Sequence, residues 1–282
     1  MLRAVVAATR EAFANGEFLE AVESGGGVAA LAARGAQLQT LRDAVDALRI
    51  DDFDGAVLGS ARAGEHGSNG GCGEVKYQHL SQGQGYSMGV FVLPPAGCIP
   101  LHSHPGMCVI SKLLYGDLRV RSYTFSEDHE TSLSLLAAGG VARALVSEHN
   151  LSAPATSGST EARATPTLLS LGPTEGNLHE FTTVGGCAIF DVLAPPYDDD
   201  HGRRCIYYRQ HSPASDQLST GVASGGAVGR IDAQPVEVLL EEWPWDTVGS
   251  STGQRESEKN QSVPLTVGAG PDLSYLLSKD RG

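Results

Sequence analysis

The sequence is short of basic residues, of long apolar runs and of paired cysteines. Lys and Arg number 20 against 33 Asp and Glu, a net charge of −13, and clustered cations are what a nucleic-acid partner requires. No apolar run approaches the roughly 20 residues that cross a bilayer. The five cysteines are odd in number and lack a CxxC, which disfavours a disulfide framework. We therefore expect no nucleic-acid or membrane partner, and a reducing compartment, cytoplasmic or nuclear.

The N-terminal segment shows helical periodicity instead of a targeting signal. Arg10 and Glu11 interrupt the apolar stretch that a signal peptide would need. Apolar residues at Leu2, Val5 and Phe13 share one helical face, and the spacing over 35–48 predicts a second helix. With 35 Gly and 14 Pro in 282 residues, the rest of the chain is too rich in glycine for a helical bundle.

From Tyr86 onward, short runs rich in β-branched and aromatic residues alternate with Gly and Pro. They read YSMGVFVLPP, CVISKLLYGDLRVRSYTF, TPTLLSLGP and GCAIFDVLAPP. Tyr115-Gly116-Asp117 inside the second run is typical of a turn. No helical pattern separates these runs, which favours an antiparallel sandwich or barrel. A strand is also predicted at Val236–Leu240.

The domain boundaries follow from these changes in composition. Two Ser- and Ala-rich stretches, at about 126–165 and 212–229, are predicted to be mobile loop insertions. The expected segments are a helical segment packed on the core over 1–50, a linker over 51–74, a barrel over 75–248 and a partly ordered C-terminal segment over 249–282.

Three of the nine histidines have spacing that suits a metal. His102 and His104 form an HxH after an apolar strand, and residues i and i+2 of a strand project from the same face. His179 lies in GNLHEF, between two other predicted strands. Three imidazoles of this kind can hold one ion and leave positions open. An isolated HxH is common, but Gly and Pro frame both of these motifs and strengthen the prediction.

This arrangement resembles the two motifs of cupins, which implies an all-β core folded as a double-stranded β-helix (jelly-roll) barrel, here with N-terminal helices. Gly97 leads to the HxH, Gly116 closes the first motif, and Gly176-x-x-His179 matches the second. Many cupins place a glutamate ligand four or five residues after the HxH. Cys108 and Val109 stand there, so the resemblance implies a three-His site without a carboxylate.

The blocks PPAGCIPLHSHPGMCVISKLLYGDLRVRSY and GNLHEFTTVGGCAIFDVLAPPYDDDHGRRCIYYR resemble plant cysteine oxidases and cysteamine dioxygenases. The resemblance implies a thiol dioxygenase, in which Fe(II) on His102, His104 and His179 lets O₂ convert an N-terminal Cys to its sulfinic acid. It implies a monomer that acts on Cys-initiated peptides or proteins and senses oxygen through an N-degron pathway.

The resemblance also implies four further site residues, each with a structural alternative. Asp191 is costly to bury unless it is paired or used, and Tyr197 could equally cap the barrel. Cys205 and Tyr207 match a pair that can be joined covalently in animal relatives. Their i, i+2 spacing on a predicted strand permits such a link but does not show one.

Two other functions stay open from the sequence. The first is oxidation of a small free aminothiol, cysteamine or cysteine. Enzymes of free cysteine usually hold its carboxylate with an arginine, and neither motif block places one persuasively: Arg119 and Arg121 alternate outward. The second is a metal-binding cupin with no enzymatic activity, which would bind metal without consuming oxygen.

Overall fold

The computed structural model describes residues 1–13, 15–53, 75–153, 166–211, 236–243 and, for the backbone, 265–268. The described helices are α1 Leu2–Phe13, α2 Glu17–Glu23, α3 Gly27–Ala32, α4 Gly35–Asp46 and α5 His129–Ala137. The described strands are β1 Val75–Gly83, β2 Tyr86–Leu93, β3 Cys98–Ser103, β4 Cys108–Phe125, β5 Ala142–Ser152, β6 Leu168–Leu171, β7 Leu178–Thr182, β8 Cys187–Ala194, β9 Tyr208–Gln210, β10 Val236–Glu242 and β11 Leu265–Gly268. The predicted all-β core with N-terminal helices is confirmed. None of the helices described is both long and apolar enough to cross a membrane.

The strands form a mostly antiparallel sheet whose two halves share β4. The first half of β4 pairs with β6 and β8, and β2 and β1 continue outward from β8. The second half of β4 pairs with β5 on one side and with β7 on the other. Strand order runs from β11 to β9, and in the described part of the chain these two end strands do not pair, so the sheet is not closed.

A single long strand replaces the turn predicted at Tyr115-Gly116-Asp117. Gly116 has φ of +82°, and an added Cβ there would collide with the carbonyl oxygen of Gly186. The pairing with β8 shifts between Leu113 and Tyr115. Glycine thus allows β4 to bend and cross from one half of the sheet to the other without ending.

The prediction of a mobile insertion over 126–165 is wrong for its described part, which contains α5 and β5. Asp128 caps α5 by accepting a hydrogen bond from the backbone N–H of Thr131 at 3.0 Å. β5 pairs with β4 from Ser152 opposite Asp117 to Ala144 opposite Phe125. Two of its three buried residues, Ala142 and Ala144, are small, so its hydrophobic pattern was hidden by a Ser- and Ala-rich composition. The remainder, 154–165, the insertion at 212–229 and most of the linker and C-terminal segments lie outside the described residues.

β8 is buried on both faces and separates two cores. Phe190 and Val192 face the N-terminal helices, where Val5, Phe13 and Leu41 cover them. Ile189, which alternates with them, faces the other way, into a cluster with members from both halves of the sheet, among them Leu113, Val120, Phe181 and Cys187. Burial of this kind contributes roughly 1.5–3 kcal/mol per large apolar side chain. Phe181 of this second cluster stacks on His179, one of the predicted metal ligands.

A buried lysine fastens α4 to the sheet. Lys112, 1% exposed in β4, donates to the backbone carbonyl of Asp46 at 2.8 Å, to its Oδ1 at 2.5 Å and to Thr167 Oγ1 at 2.7 Å. Asp46 ends α4, and its carboxylate is 47% exposed. The ion pair therefore has one desolvated partner and one that water can still reach.

This asymmetry predicts unequal effects of removing either partner. Asp46→Ala leaves a buried cation with less compensation and should cost roughly 2–3 kcal/mol of unfolding free energy. Lys112→Met keeps the volume, removes the desolvated charge and should cost less than about 1 kcal/mol. Urea unfolding of the metal-free protein measures both. Equal losses for the two variants would show that the attraction itself, instead of the stranded charge, dominates.

Candidate metal centre

The HxH lies at the end of β3, where its backbone is held from the opposite side. Ser103 donates its N–H to the carbonyl of Ile206 at 3.0 Å, while His102 and His104 lie on either side of it in sequence with ring centroids 4.7 Å apart. His102 Nδ1 lies 2.8 Å from the carbonyl oxygen of Pro100. A carbonyl only accepts, so Nδ1 carries the proton and Nε2 keeps a free lone pair.

Asn177 orients His104 through three contacts. His104 Nδ1 donates to the Asn177 carbonyl at 3.2 Å, and the Asn177 amide pairs with the backbone N–H and C=O of His104 at 3.3 and 2.5 Å. This again leaves Nε2 with the lone pair. Asn177 is 2% exposed. It was not identified from the sequence, where an Asn two residues before a His carries no recognisable signal.

His179 reaches the pair across the sheet. It is directly opposite His102 in the β3–β7 pairing and opposite Ser122 in the β4–β7 pairing. Its ring stacks on Phe181 at 4.3 Å. His179 Nδ1 is buried and has no hydrogen-bond partner among the described residues, which is the situation of a nitrogen that requires a ligand the polypeptide does not supply.

Together the three imidazoles offer a neutral donor set. Their candidate ligand atoms all lie within 4.8 Å of one another, and each side chain is at most 8% exposed. Burial lowers the pKa of His102 to about 4. Burial, reinforced by the neighbouring imidazoles, holds the pKa values of His104 and His179 well below 6.5. All three rings are thus neutral at pH 7, and the cluster suits a metal ion.

Asp191 lies on β8 opposite Ser111 of β4 and opposite Gly89 of β2. It is 6% exposed, and its Oδ1 has no hydrogen-bond partner within the described residues. Burial raises the pKa of Asp191 to about 7, against a hydrogen bond from Ser111 that favours the charged form. A carboxyl group in this environment can change charge near neutral pH, as groups at reactive sites do.

Tyr197 links this region to the HxH. Its hydroxyl donates to the carbonyl of Ser103 at 2.8 Å, and its ring lies 5.7 Å from that of His104. Burial raises the pKa of Tyr197 well above 10, and the neighbouring ionisable groups of Cys205, Tyr207 and Asp191 add to the shift. The four non-histidine residues predicted from the resemblance are therefore electrostatic neighbours.

Cys205 and Tyr207 approach the histidines from the segment before β9. Tyr207 forms an isolated β-bridge with His102, and their rings are 6.2 Å apart. Cys205 is partly exposed, and burial raises its thiol pKa to about 11 against the opposing effect of the nearby Tyr197 and Tyr207 hydroxyls. The strand predicted for this pair begins only at Tyr208, because the preceding residues follow the loop that carries Tyr197.

Tyr77 is a further neighbour that the sequence did not reveal. Burial raises its pKa to about 12, and the charge of Asp191 contributes. An added Cβ at Gly89 would lie 2.5 Å from the Tyr77 hydroxyl, so only glycine leaves room for this ring beside Asp191. The contact depends on the registers of β1 on β2 and of β2 on β8, which local patterns do not determine.

Comparison with known proteins places these residues in a family. The family model described as PCO_ADO matches residues 44–242. The chain is 37% identical over 140 residues to plant cysteine oxidase 1 of Arabidopsis thaliana, across 48% of this chain and 41% of that protein. It is 40% identical over 164 residues to 2-aminoethanethiol dioxygenase of Homo sapiens, across 53% of this chain and 57% of that protein. The matches thus span about half the length of these relatives.

Among solved structures, a cupin superfamily protein of Desulfitobacterium hafniense is 10% identical with a TM-score of 0.27, covering 44% of this chain and 79% of the other. KdgF of Halomonas sp. is 11% identical with a TM-score of 0.27, covering 44% of this chain and 81% of the other. The family match, in contrast, runs through both motif blocks and more than half of the sequence. The chain belongs to the PCO_ADO family.

Proposed function

We propose that this chain is an Fe(II)-dependent thiol dioxygenase that converts the N-terminal cysteine of a peptide or protein to cysteine sulfinic acid. The observation that carries the proposal is the buried cluster of His102, His104 and His179, whose atoms lie within 4.8 Å of one another. Names of the family's curated members, plant cysteine oxidase and 2-aminoethanethiol dioxygenase, support the same chemistry.

The three histidines would hold the iron. Two of them present Nε2 because backbone carbonyls occupy their Nδ1 atoms, and the neutral set leaves the full charge of the metal uncancelled. Fe(II) bound there would supply the redox chemistry that lets a thiolate react with O₂. The reaction RSH + O₂ → RSO₂H is balanced as written: sulfur loses four electrons, O₂ gains four, and no further reductant is needed.

The other site residues would position the substrate. In its charged form, Asp191 would accept a hydrogen bond from the α-ammonium group, which places the thiol toward the histidines. Tyr197 donates to Ser103, and its oxygen can still accept from the substrate amine. Because the histidines and Asp191 are nearly inaccessible to solvent, bulk water is excluded from the reacting sulfur.

The arginines near the motif blocks favour an amide over a free carboxylate in the substrate. Arg119 pairs with Glu148 at 2.6 Å and Arg121 with Glu180 at 2.9 Å, both away from the histidines. Arg203 pairs with Glu23 and Asp198. Each of these three cations is committed to an acidic partner, which suits a peptide, whose cysteine carboxyl is already an amide. The name of the 2-aminoethanethiol dioxygenases, 40% identical in the human case, makes the free aminothiol the second candidate.

We also propose a cellular location, an oligomeric state and a signalling role for this protein. We place the protein in the cytoplasm or nucleus as a monomer, where oxidation of an N-terminal cysteine would report oxygen through an N-degron pathway. The free thiols Cys98, Cys108, Cys187 and Cys205 suit a reducing compartment.

To test the proposed reaction, metal-free protein is loaded with Fe(II) under anaerobic conditions and mixed with substrate. O₂ is then admitted, and the mass of the substrate is followed by mass spectrometry. We expect a gain of about 32 Da, two oxygen atoms, on a Cys-initiated pentapeptide. The same peptide with an acetylated N terminus is the matched control and should stay unchanged. Parallel reactions with cysteamine and cysteine distinguish the second candidate. Metal bound in stoichiometric amount with no oxygen consumed on any thiol would instead indicate a non-enzymatic cupin.

A further inference from the structure

Arg203 is buried close to the candidate site without touching the histidines. It is 5% exposed and follows Gly202, which has φ of +73°. Its Nε donates to the carbonyl of Pro196 at 3.1 Å, and its Nη2 pairs with Asp198 Oδ2 at 3.2 Å. The third nitrogen, Nη1, pairs with Glu23 Oε1 at 3.3 Å. Each of the three guanidinium nitrogens therefore donates a hydrogen bond to a different residue.

Two of these partners flank Tyr197. Pro196 precedes it and Asp198 follows it, so one planar group holds the backbone on both sides of the tyrosine. Main-chain hydrogen bonds between Asp198 and Arg203, of 3.1 and 2.8 Å, close the same loop. The Tyr197 ring then lies 5.7 Å from that of His104, with its hydroxyl on Ser103.

The third partner ties the loop to the N-terminal helices. Glu23 is the last residue of α2, an unfavourable place for a carboxylate because the carbonyl end of a helix is negative. Pairing with Arg203 offsets this. The preceding Val22 packs on the turn after the HxH, since an added Cβ at Gly106 would lie 2.7 Å from Val22 Cγ1. The end of α2 thus contacts both loops that border His104.

We propose that Arg203 is a positioning residue, which fixes the Tyr197 phenol over His104 and, through Glu23, makes that placement depend on α2. This inference rests on the proposed dioxygenase reaction for its kinetic consequence. Lysine cannot replace the arginine, because one ammonium cannot reach Pro196, Asp198 and Glu23 in three fixed directions.

A double-mutant cycle separates positioning from general support of the fold. Arg203→Lys should lower kcat at least about 10-fold in the Tyr197 background, at unchanged iron content. In the Tyr197→Phe background the same change should lower kcat less than about 2-fold, because residues that act through one another are not additive. A merely structural role would lower kcat equally in both backgrounds and would overturn the proposal.

Two further variants accompany the cycle. Glu23→Gln, which removes only the partly exposed end of the network, should lower kcat roughly 3-fold and serves where Arg203→Lys folds poorly. Arg209→Lys is the matched control. Arg209 pairs with Glu241 at 2.5 Å on the surface, and its replacement should leave kcat within about 2-fold.

A readout independent of turnover uses metal-free protein labelled with 3-fluorotyrosine. The ¹⁹F resonance of Tyr197, assigned by its loss in Tyr197→Phe, should shift or broaden in Arg203→Lys and stay in place in Arg209→Lys. An unmoved resonance would refute positioning even in an active enzyme. A moved resonance in a protein that oxidises no thiol would support the placement of Tyr197 by Arg203 while the proposed function fails.

Discussion

Replacing His179 with alanine should abolish both metal binding and oxidation of a Cys-initiated peptide. We expect at least a 100-fold loss of Fe(II) affinity and a loss of turnover on the order of 10³-fold or more, since changes even to groups that only orient metal ligands cost about 10- to 100-fold. Among the described residues the ligand cluster consists of three histidines, so it includes no carboxylate that could take over the vacated position. Anaerobic titration with Fe(II) and the mass gain of the peptide measure the two losses.

The fold should tolerate this substitution better than the function does. His179 Nδ1 is buried without a partner, so its removal deletes an unsatisfied polar atom while it opens a cavity against Phe181. These contributions oppose each other, and we expect the metal-free protein to change by less than about 2 kcal/mol. His149→Ala, on the exposed face of β5, is the matched control. If His179→Ala kept full metal content and turnover, His179 would not be a metal ligand and the three-His site would be wrong.

The sequence predicted the HxH pair because its geometry is local. Residues i and i+2 on a strand project together, so His102 and His104 required no knowledge of the fold. His179 was predicted from its glycine-framed motif and the cupin resemblance, since its position opposite His102 depends on the pairing of β3 with β7. Gly116 marked the end of the first motif and Gly176 the start of the second.

Helices α1 and α4 were predicted for a similar reason, since Val5, Phe13, Leu41 and Val45 are buried at helical spacing. The short helices α2 and α3 between them were not predicted.

What the sequence missed depends on pairing between distant segments. Tyr77 reaches Asp191 only because two registers place Gly89 between them. Asn177 became visible as the partner of His104 only once β7 was placed beside β3. Strand β5 was missed because small buried residues such as Ala142 and Ala144 contribute little hydrophobic contrast. Long-range register decides these contacts, and composition does not encode it.

The two halves of the sheet contribute different residues to the candidate site. One half supplies His102 and His179 from adjacent strands, and the other supplies Asp191 from β8, buried on both faces. A rigid, doubly covered strand is an expensive place for a carboxyl group whose Oδ1 has no partner in the described residues. Such a cost persists where the group is used in the reaction.

Asp191→Asn should make the metal-free protein more stable. The folded protein holds the Asp191 proton up to a pKa of about 7, whereas the ordinary carboxyl loses it above 3.8. Stability is therefore unaffected by this group below pH 3.8, falls as pH rises from about 4 to 7, and is constant above that. The full difference of about three pKa units corresponds to roughly 4 kcal/mol.

Because asparagine cannot ionise, the variant should not lose stability as the pH rises from about 4 to 7. We expect a gain of roughly 2–4 kcal/mol at pH 8 that shrinks to less than about half at pH 5. Urea unfolding at the two pH values measures it. Asp117→Asn, at an exposed position of β4, is the matched control and should change the unfolding free energy by less than about 0.5 kcal/mol.

The same substitution should cost activity, because only the charged carboxylate pairs strongly with a substrate ammonium group. A hydrogen bond to a charged group contributes about 1.5–3 kcal/mol, so kcat/KM for a Cys-initiated peptide should fall on the order of 10- to 100-fold.

In the wild-type enzyme kcat/KM should decline as pH falls below an inflection at or below about 7, the pKa of Asp191. Bound Fe(II) would favour the charged form and move that inflection downward. The Asn variant should lack the inflection altogether. If the variant is more stable and less active, and if its kcat/KM does not change with pH, then Asp191 is a group that costs stability but serves the reaction. A variant that loses stability at pH 8 and keeps the inflection would assign both effects to another residue.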